Sequence, residues 1–229
     1  MRRDHIIKQV ETTPRQPTRM LEIGCGNGSI LASIALRAPH IWVVGLDINV
    51  AALQHQRSNY DQPTIQGDAL QLPVAQSFDL IGAFDVLEHI QDDNAALSNI
   101  YNALKPGGTL ILTVPQHMRL YTNFDIAAGH VRRYERHLLE AQLARVGFSI
   151  TSSFSFNYLL LPIVALTRLW KTLFPYRDKS LYFQTELHIS PFANYVGNIT
   201  RILEQILAMA GLQARVGTSL LLVCRTAYD

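Results

Sequence analysis

The sequence predicts an α/β protein built on a doubly wound, mostly parallel sheet with helices on both faces. Three observations lead there. Short apolar runs alternate with stretches of helical period along the first two thirds of the chain. The first run, at 19–23, empties into a turn with glycines at Gly24, Gly26 and Gly28. The second, at 41–47, ends in an acid, Asp47. A glycine-rich turn between strand and helix lets the backbone bend sharply and lets a ligand approach with no Cβ in the way.

The elements follow in order. Residues 19–23 form a buried strand and 29–38 a helix; 41–47 and 63–66 are strands, with a helix at 49–58 between them. The strand at 78–84 leads into Asp85-Val86-Leu87-Glu88-His89-Ile90. A helix at 93–104 ends at Lys105-Pro106-Gly107-Gly108, a punctuator that feeds a fifth strand at 109–114. Residues 136–146, closed by Gly147, are helical; 148–156 form a sixth strand and 218–225 a seventh, after a long detour. At the end of the second strand, Asp47 can accept hydrogen bonds from both hydroxyls of a ribose. Asp68, in Gly67-Asp68-Ala69, is placed to hold an exocyclic adenine amine. The G-x-G-x-G spacing differs from the G-x-G-x-x-G fingerprint of dinucleotide sites, which disfavours nicotinamide redox chemistry.

Composition sets the outer bounds. The 229 residues are 48% hydrophobic and 17% charged, the chemistry of one globular domain spanning residues 1–229. A net charge of +2 gives no general nucleic-acid surface, so none is expected as a partner. Cys25 and Cys224, far apart and each in or beside an apolar run, are expected to be buried free thiols. Residues 1–10 are charged and lack the apolar core of a signal peptide, and the run 158–166 is too short to span a bilayer. The expected location is the cytoplasm, with peripheral membrane contact and homodimerisation left open.

In order and spacing, the glycine turn, Asp47, Asp68, the 78–84 strand and the Lys-Pro-Gly-Gly turn resemble the class I S-adenosylmethionine-dependent methyltransferases, particularly those acting on small molecules. The resemblance covers about residues 19–150. It implies a seven-stranded sheet of order 3-2-1-4-5-7-6, with the last strand antiparallel, and S-adenosylmethionine as cofactor. It also implies a cofactor site at Glu22, Gly24, Cys25, Gly26, Asp47, Ile48, Asp68, Ala69, Phe84, Asp85 and Val86. Two segments exceed a minimal core of this kind, at about 115–135 and 157–213. They are expected to form a helical cap and most of the acceptor pocket, with a short lid from residues 4–11.

Methyl transfer from a sulfonium needs an acceptor held in line and, for a neutral acceptor, a base. His130, His89 and Tyr134 are the catalytic candidates; His117, Tyr121, Arg133 and Tyr158 are expected to contact substrate. His130 sits in Gly129-His130-Val131-Arg132-Arg133-Tyr134, a string resembling one that follows the fifth strand in other family members. It could instead cap the helix at 136–146. Arg132, Arg133 and Arg136 could face an anionic acceptor or simply solvent. Asp85-x-x-Glu88-His89 with a distant histidine also resembles a metal-binding arrangement of ubiquinone-biosynthesis and small-RNA methyltransferases. The working assignment places no metal and puts Glu88 and His89 at the mouth of the cofactor pocket, in the first turn of the next helix.

The segment 154–174 and the amphipathic stretch 193–210 carry apolar residues at near-helical spacing, among them Tyr158, Leu159, Ile163 and Leu166. Core packing, a lipophilic substrate tunnel and an interfacial membrane helix all fit this pattern. Tyr121, Phe124, Phe174, Tyr176, Tyr182 and Phe183 add apolar surface, which points to a hydrophobic or amphiphilic acceptor methylated on a hydroxyl, phenol or carboxyl oxygen. C- or N-methylation, and a non-catalytic cofactor-binding regulator, remain as alternatives.

Overall fold

Strands β1 (Arg19–Ile23), β2 (Trp42–Asp47), β3 (Thr64–Gln66), β4 (Phe78–Phe84), β5 (Leu104–Pro115), β6 (Ser149–Phe156) and β7 (Ser219–Arg225) form one sheet. Their order is β3-β2-β1-β4-β5-β7-β6, with β7 antiparallel to both neighbours, as the family resemblance implied. The computed structural model describes residues 2–228 apart from 15, 73, 174–196, 201, 205, 208–213 and 215. Phe174, Tyr176, Tyr182, Phe183 and much of the 157–213 segment therefore lie outside the described residues.

Period-two alternation divides the strands other than the short edge strand β3 between two cores, one on each face of the sheet. Leu21, Ile81, Leu110 and Leu222 pack on one side with helices α4 (Asp93–Ala103) and α6 (Arg136–Val146). Met20, Leu80, Ile111 and Leu221 pack on the other with α1 (Arg2–Glu11) and α2 (Ser29–Arg37). Both faces are covered, which explains why β1, β4 and β7 read as continuous apolar runs rather than as alternation.

Three local outcomes depart from the expectation. First, residues 4–11 are not merely a short lid. They belong to α1, whose Ile6, Ile7 and Val10 are buried, so this helix is part of the second core. Second, β5 begins at Leu104, paired with Phe78 across an irregularity, instead of at 109. Gly107 takes φ +71° there and its N–H donates to the Ala227 carbonyl, so the C-terminal residues clasp the Lys-Pro-Gly-Gly turn. Third, Glu88 and His89 lie in a 3₁₀ turn, Leu87–His89, and α4 starts only at Asp93, where the Asp92 side chain caps it. The 115–135 insertion contains a short helix, α5 (Asn123–Ala127). In the second insertion, α7 spans Leu161–Leu173. The buried carboxylate of Glu204 accepts hydrogen bonds from the N–H groups of Asn157 and Leu159, each 2.8 Å, tying the two ends of that insertion together. Cys25 and Cys224 are free and buried. Among the described residues, no helix is long and apolar enough to cross a membrane.

Candidate active site

A cavity of about 510 Å³ opens where β1, β2 and β4 end. This is the position at which open α/β sheets place a ligand, outside the C-terminal strand ends. Gly24, Asp47, Ile48, Asp68, Ala69, Asp85, Val86 and His89 line it. Gly24, Gly26 and Gly28 all adopt positive φ, which an L side chain resists. A Cβ on Gly24 would stand 2.3 Å from Val86 Cγ2, and one on Gly28 the same distance from Gln56 Cγ. A Cβ on Gly26 meets nothing within 4 Å, so that glycine faces open space. The Gly26 N–H donates to Asp47 Oδ2 at 2.7 Å and the Asn49 N–H to Oδ1 at 2.8 Å, so Asp47 ties the glycine turn to the end of β2. Asp68 accepts from the Leu70 N–H with one oxygen, Oδ1.

Glu22, Cys25 and Phe84 stand behind this wall rather than in it; all three are buried. Burial pushes the Glu22 carboxyl up to about 8, with Asp47 adding to the rise and Arg2 opposing it. Its Oε2 has no partner among the described residues. The unfolded carboxyl titrates near 4.5, so between that value and about 8 unfolding releases a proton. The Glu22 contribution to stability is thus complete at low pH and is lost as pH rises through this window, at up to about 1.4 kcal/mol per pH unit. Thermal unfolding followed from pH 5 to pH 8 is expected to show a flatter decline in Glu22→Gln than in the wild type; parallel curves would refute the assignment.

A second cluster meets the cavity at His89. The imidazoles of His89 and His130 pack edge to face with centroids 4.8 Å apart. His89 Nδ1 donates to the Gly129 carbonyl at 3.2 Å, and His130 Nδ1 to Asp125 Oδ1 at 3.1 Å, which leaves Nε2 as the acceptor of each ring. Burial, and then the neighbouring His89, lower the His130 pKa, against the pull of Asp125. Glu88, fully buried, has both carboxylate oxygens without a partner among the described residues. Its carboxyl is pushed up to about 8, first by burial and then by Asp85. One donor atom each from Glu88, His89 and His130 lie within 4.8 Å of one another, and these are the residues that could hold a metal ion.

Asp125 organises this cluster and was not anticipated. It is fully buried, accepts from His130 and from Arg133 Nε (2.8 Å), and closes a capping box with Thr122 at the start of α5. The signal was present as Thr122-x-x-Asp125, the acid-containing form of that box. Arg2, which forms an ion pair with Asp85, was missed as well, and nothing local in the sequence marks it.

Other expectations are corrected by what these side chains touch. The Tyr134 hydroxyl donates to Asp93 at 2.8 Å in the core, beside Gln142 and Arg132, and burial drives its pKa upward. A buried phenol anchored in this way packs the protein and does not serve as a base. Arg133 is held by Asp125, Arg132 by Asp93 and Arg136 by Ser153 and Ser155, so none of the three is presented to an anionic acceptor. His130 does not cap α6, whose N-cap is Glu135. The Tyr121 hydroxyl donates to the His130 carbonyl at 2.8 Å, supporting the loop. His117 takes φ +67° with Nδ1 3.4 Å from Glu135, and its Nε2 is buried without a partner among the described residues. Tyr158 stands beside Glu204 in the second insertion; burial, and then Glu204, raise its pKa.

A family model described as a methyltransferase domain matches residues 2–153. The chain belongs to this methyltransferase family. The chain is 29% identical over 147 residues to the ubiquinone biosynthesis O-methyltransferase of Aeromonas salmonicida, covering 56% of this chain and 60% of that protein. It is 31% identical over 140 residues to the trans-aconitate 2-methyltransferase of Streptomyces avermitilis, covering 58% of this chain and 49% of that protein. The match thus spans about half of the curated relatives' length. Among solved structures, phosphoethanolamine N-methyltransferase 2 of Haemonchus contortus, in complex with S-adenosylmethionine, shares the fold. Its TM-score is 0.61 at 21% identity, over 98% of this chain and 52% of that one.

Proposed function

We propose that the methyltransferase binds S-adenosylmethionine in the cavity at the strand ends and moves its methyl group to an oxygen of a small, amphiphilic acceptor. The observation that carries this reading is the Asp125–His130 pair beside His89 at the rim of that cavity. The acceptor oxygen attacks the methyl carbon in line, the carbon–sulfur bond breaks with its electrons going to sulfur, and S-adenosylhomocysteine leaves. The acceptor proton goes to His130 Nε2. Asp125 fixes the ring and stabilises the imidazolium that forms, in the manner of a carboxylate behind a catalytic histidine.

A base favours a hydroxyl or phenol over a carboxylate, which needs none. The engagement of Arg132, Arg133 and Arg136 by protein partners also speaks against a strongly anionic acceptor. Met118, Phe124 and Ile126, in the same insertion as His130, expose apolar surface that suits an amphiphilic molecule. Curated relatives include O-methyltransferases, in keeping with an oxygen acceptor. Incubation with methyl-tritiated cofactor and panels of phenols, alcohols and carboxylic acids tests the reading. Base-stable label on a phenol or alcohol supports it, base-labile label indicates a carboxyl ester, and absence of transfer to any oxygen acceptor counts against it.

One observation favours a metal-assisted version. Glu88 is a buried carboxylate with no partner among the described residues, and the Nδ1 atoms of His89 and His130 are held by a carbonyl and a carboxylate, the outer support usual for metal-binding imidazoles. The donor set suits zinc, manganese or iron. An ion held by Glu88, His89 and His130 would supply a Lewis acid that makes an acceptor hydroxyl more acidic. Metal analysis of the purified protein, and loss of activity in EDTA restored by one divalent ion, would establish it; full activity in EDTA with no bound metal would remove it.

The ribose assignment gives a further expected result. Asp47→Ala weakens cofactor binding by about 1–3 kcal/mol, because two ribose hydroxyls and the Gly26 N–H lose their acceptor. Unchanged affinity by calorimetry would mean that Asp47 is not the ribose ligand.

A further inference from the structure

The insertion between β6 and β7 turns apolar side chains outward. It leaves and rejoins the sheet at the end where the cavity opens, since Pro115 and Phe156 both pair with Ser219 and β5 runs parallel to β4. Its first helix, α7, opens as Leu161-Pro162-Ile163-Val164-Ala165-Leu166, yet none of residues 161–167 is buried and Leu166 is 66% exposed. The described residues of 197–207 are also helical and expose Ile199, Ile202 and Ile206. Neither core of the sheet contains a described residue of this insertion, so core packing does not account for its apolar composition.

We propose that α7 and the 197–207 stretch form a docking surface for an anionic lipid bilayer, on which the protein lies without crossing it. The geometry of the second stretch is the first argument. Ile199, Ile202 and Ile206 recur at i, i+3 and i+7, which puts them on one face of a helix. Glu204 lies on the opposite face, where it is buried and accepts from the Asn157 and Leu159 N–H groups at 2.8 Å each. The usual arrangement is thus inverted: the acid anchors the helix to the protein and the isoleucines face out. The same two hydrogen bonds hold this stretch to the entry of α7, so both exposed apolar surfaces belong to one tethered unit. Single apolar residues on a surface are ordinary, but a contiguous set on joined helices marks an interaction face.

Charge selects the occupant. Over residues 157–180 the sequence carries Arg168, Lys171, Arg177 and Lys179 against a single acid, Asp178. Apolar residues interleaved with lysine and arginine are the pattern of a helix lying at the level of anionic headgroups. A second copy of the chain would bring this basic run against itself, with no acids to offset it. Among the described residues no helix is long and apolar enough to cross a membrane, so the bilayer is touched from one side.

Co-flotation of the full chain with vesicles tests the proposal. One set contains phosphatidylcholine alone and the other phosphatidylcholine mixed with phosphatidylglycerol. Binding to the mixed vesicles is expected to exceed binding to the neutral ones by about tenfold or more, and to fall as salt is raised. Leu166→Asp and Ile206→Asp are each expected to lower it by about tenfold or more, through lost burial and added repulsion. Leu36→Asp, at an 80% exposed position on α2, is the control and should bind as the wild type does. Thermal melts establish that each variant folds, and the double variant Arg168→Gln, Lys171→Gln serves if an aspartate variant does not. Absence of binding, equal binding to the two vesicle types, or aspartate and glutamine variants that bind as the wild type does would each overturn the proposal. A wild-type dimer that Leu166→Asp dissociates, with no binding to either vesicle, would overturn it in favour of a second copy.

Discussion

His130→Ala is expected to lower turnover by about 10²–10⁴-fold while leaving the affinity for S-adenosylmethionine nearly unchanged, the loss that follows removal of a positioned general base. The split is the informative part. His130 packs against His89 at the rim and is not part of the cavity wall that Asp47 and Asp68 form, so removing its ring should leave both of those carboxylates in place. Stopped-flow or steady-state kinetics beside calorimetry would show both quantities. Asp125→Asn is the companion test, with a different expected signature. Asp125 also holds Thr122 and Arg133, so its replacement costs stability as well as rate, and the melting temperature falls with turnover. If His130→Ala turns over normally, the ring is part of the loop's packing. If only KM rises, the acceptor arrives already ionised and the product is a carboxyl ester.

Gly26→Val is expected to reduce cofactor binding by about a hundredfold or more, some 2.7 kcal/mol, while the protein still folds. A Cβ at Gly26 meets no protein atom within 4 Å, so the added bulk occupies the space a ligand would fill. The backbone there has φ +53°, and a β-branched residue held in that region costs about 1–2 kcal/mol, a tolerable loss for a domain with two packed cores. Gly24→Ala provides the contrast. Its new Cβ would stand 2.3 Å from Val86 Cγ2, so the fold itself should suffer. A folded Gly26→Val variant that binds the cofactor normally would show that the glycine turn does not face the ligand. A Gly24→Ala variant with unchanged melting temperature would show that Val86 yields easily.

The order of elements and part of the lining of the strand-end cavity were determined by the sequence itself. Strand and helix periods are local, and the turn at Gly24, Gly26 and Gly28 needs positive φ whatever surrounds it, so both were legible in a short window of residues. Asp47, Asp68 and Asp85 were legible for the same reason: each ends or follows a strand, and the strand end is where an α/β sheet binds ligands. Tertiary structure alone decided which polar groups meet one another. Tyr134 looked like a candidate base until Asp93, at the start of α4, took its hydroxyl into the core. Arg132, Arg133 and Arg136 form one basic run in sequence, yet packing sends each to a different partner, Asp93, Asp125 and Ser153. Arg2 reaches Asp85 only because Ile6, Ile7 and Val10 dock α1 against the sheet. A buried polar group must find a partner, and its identity depends on which elements the cores bring together, tens of residues apart. Hydrophobic period specifies the elements and their faces; the pairing of charges follows from how those faces close.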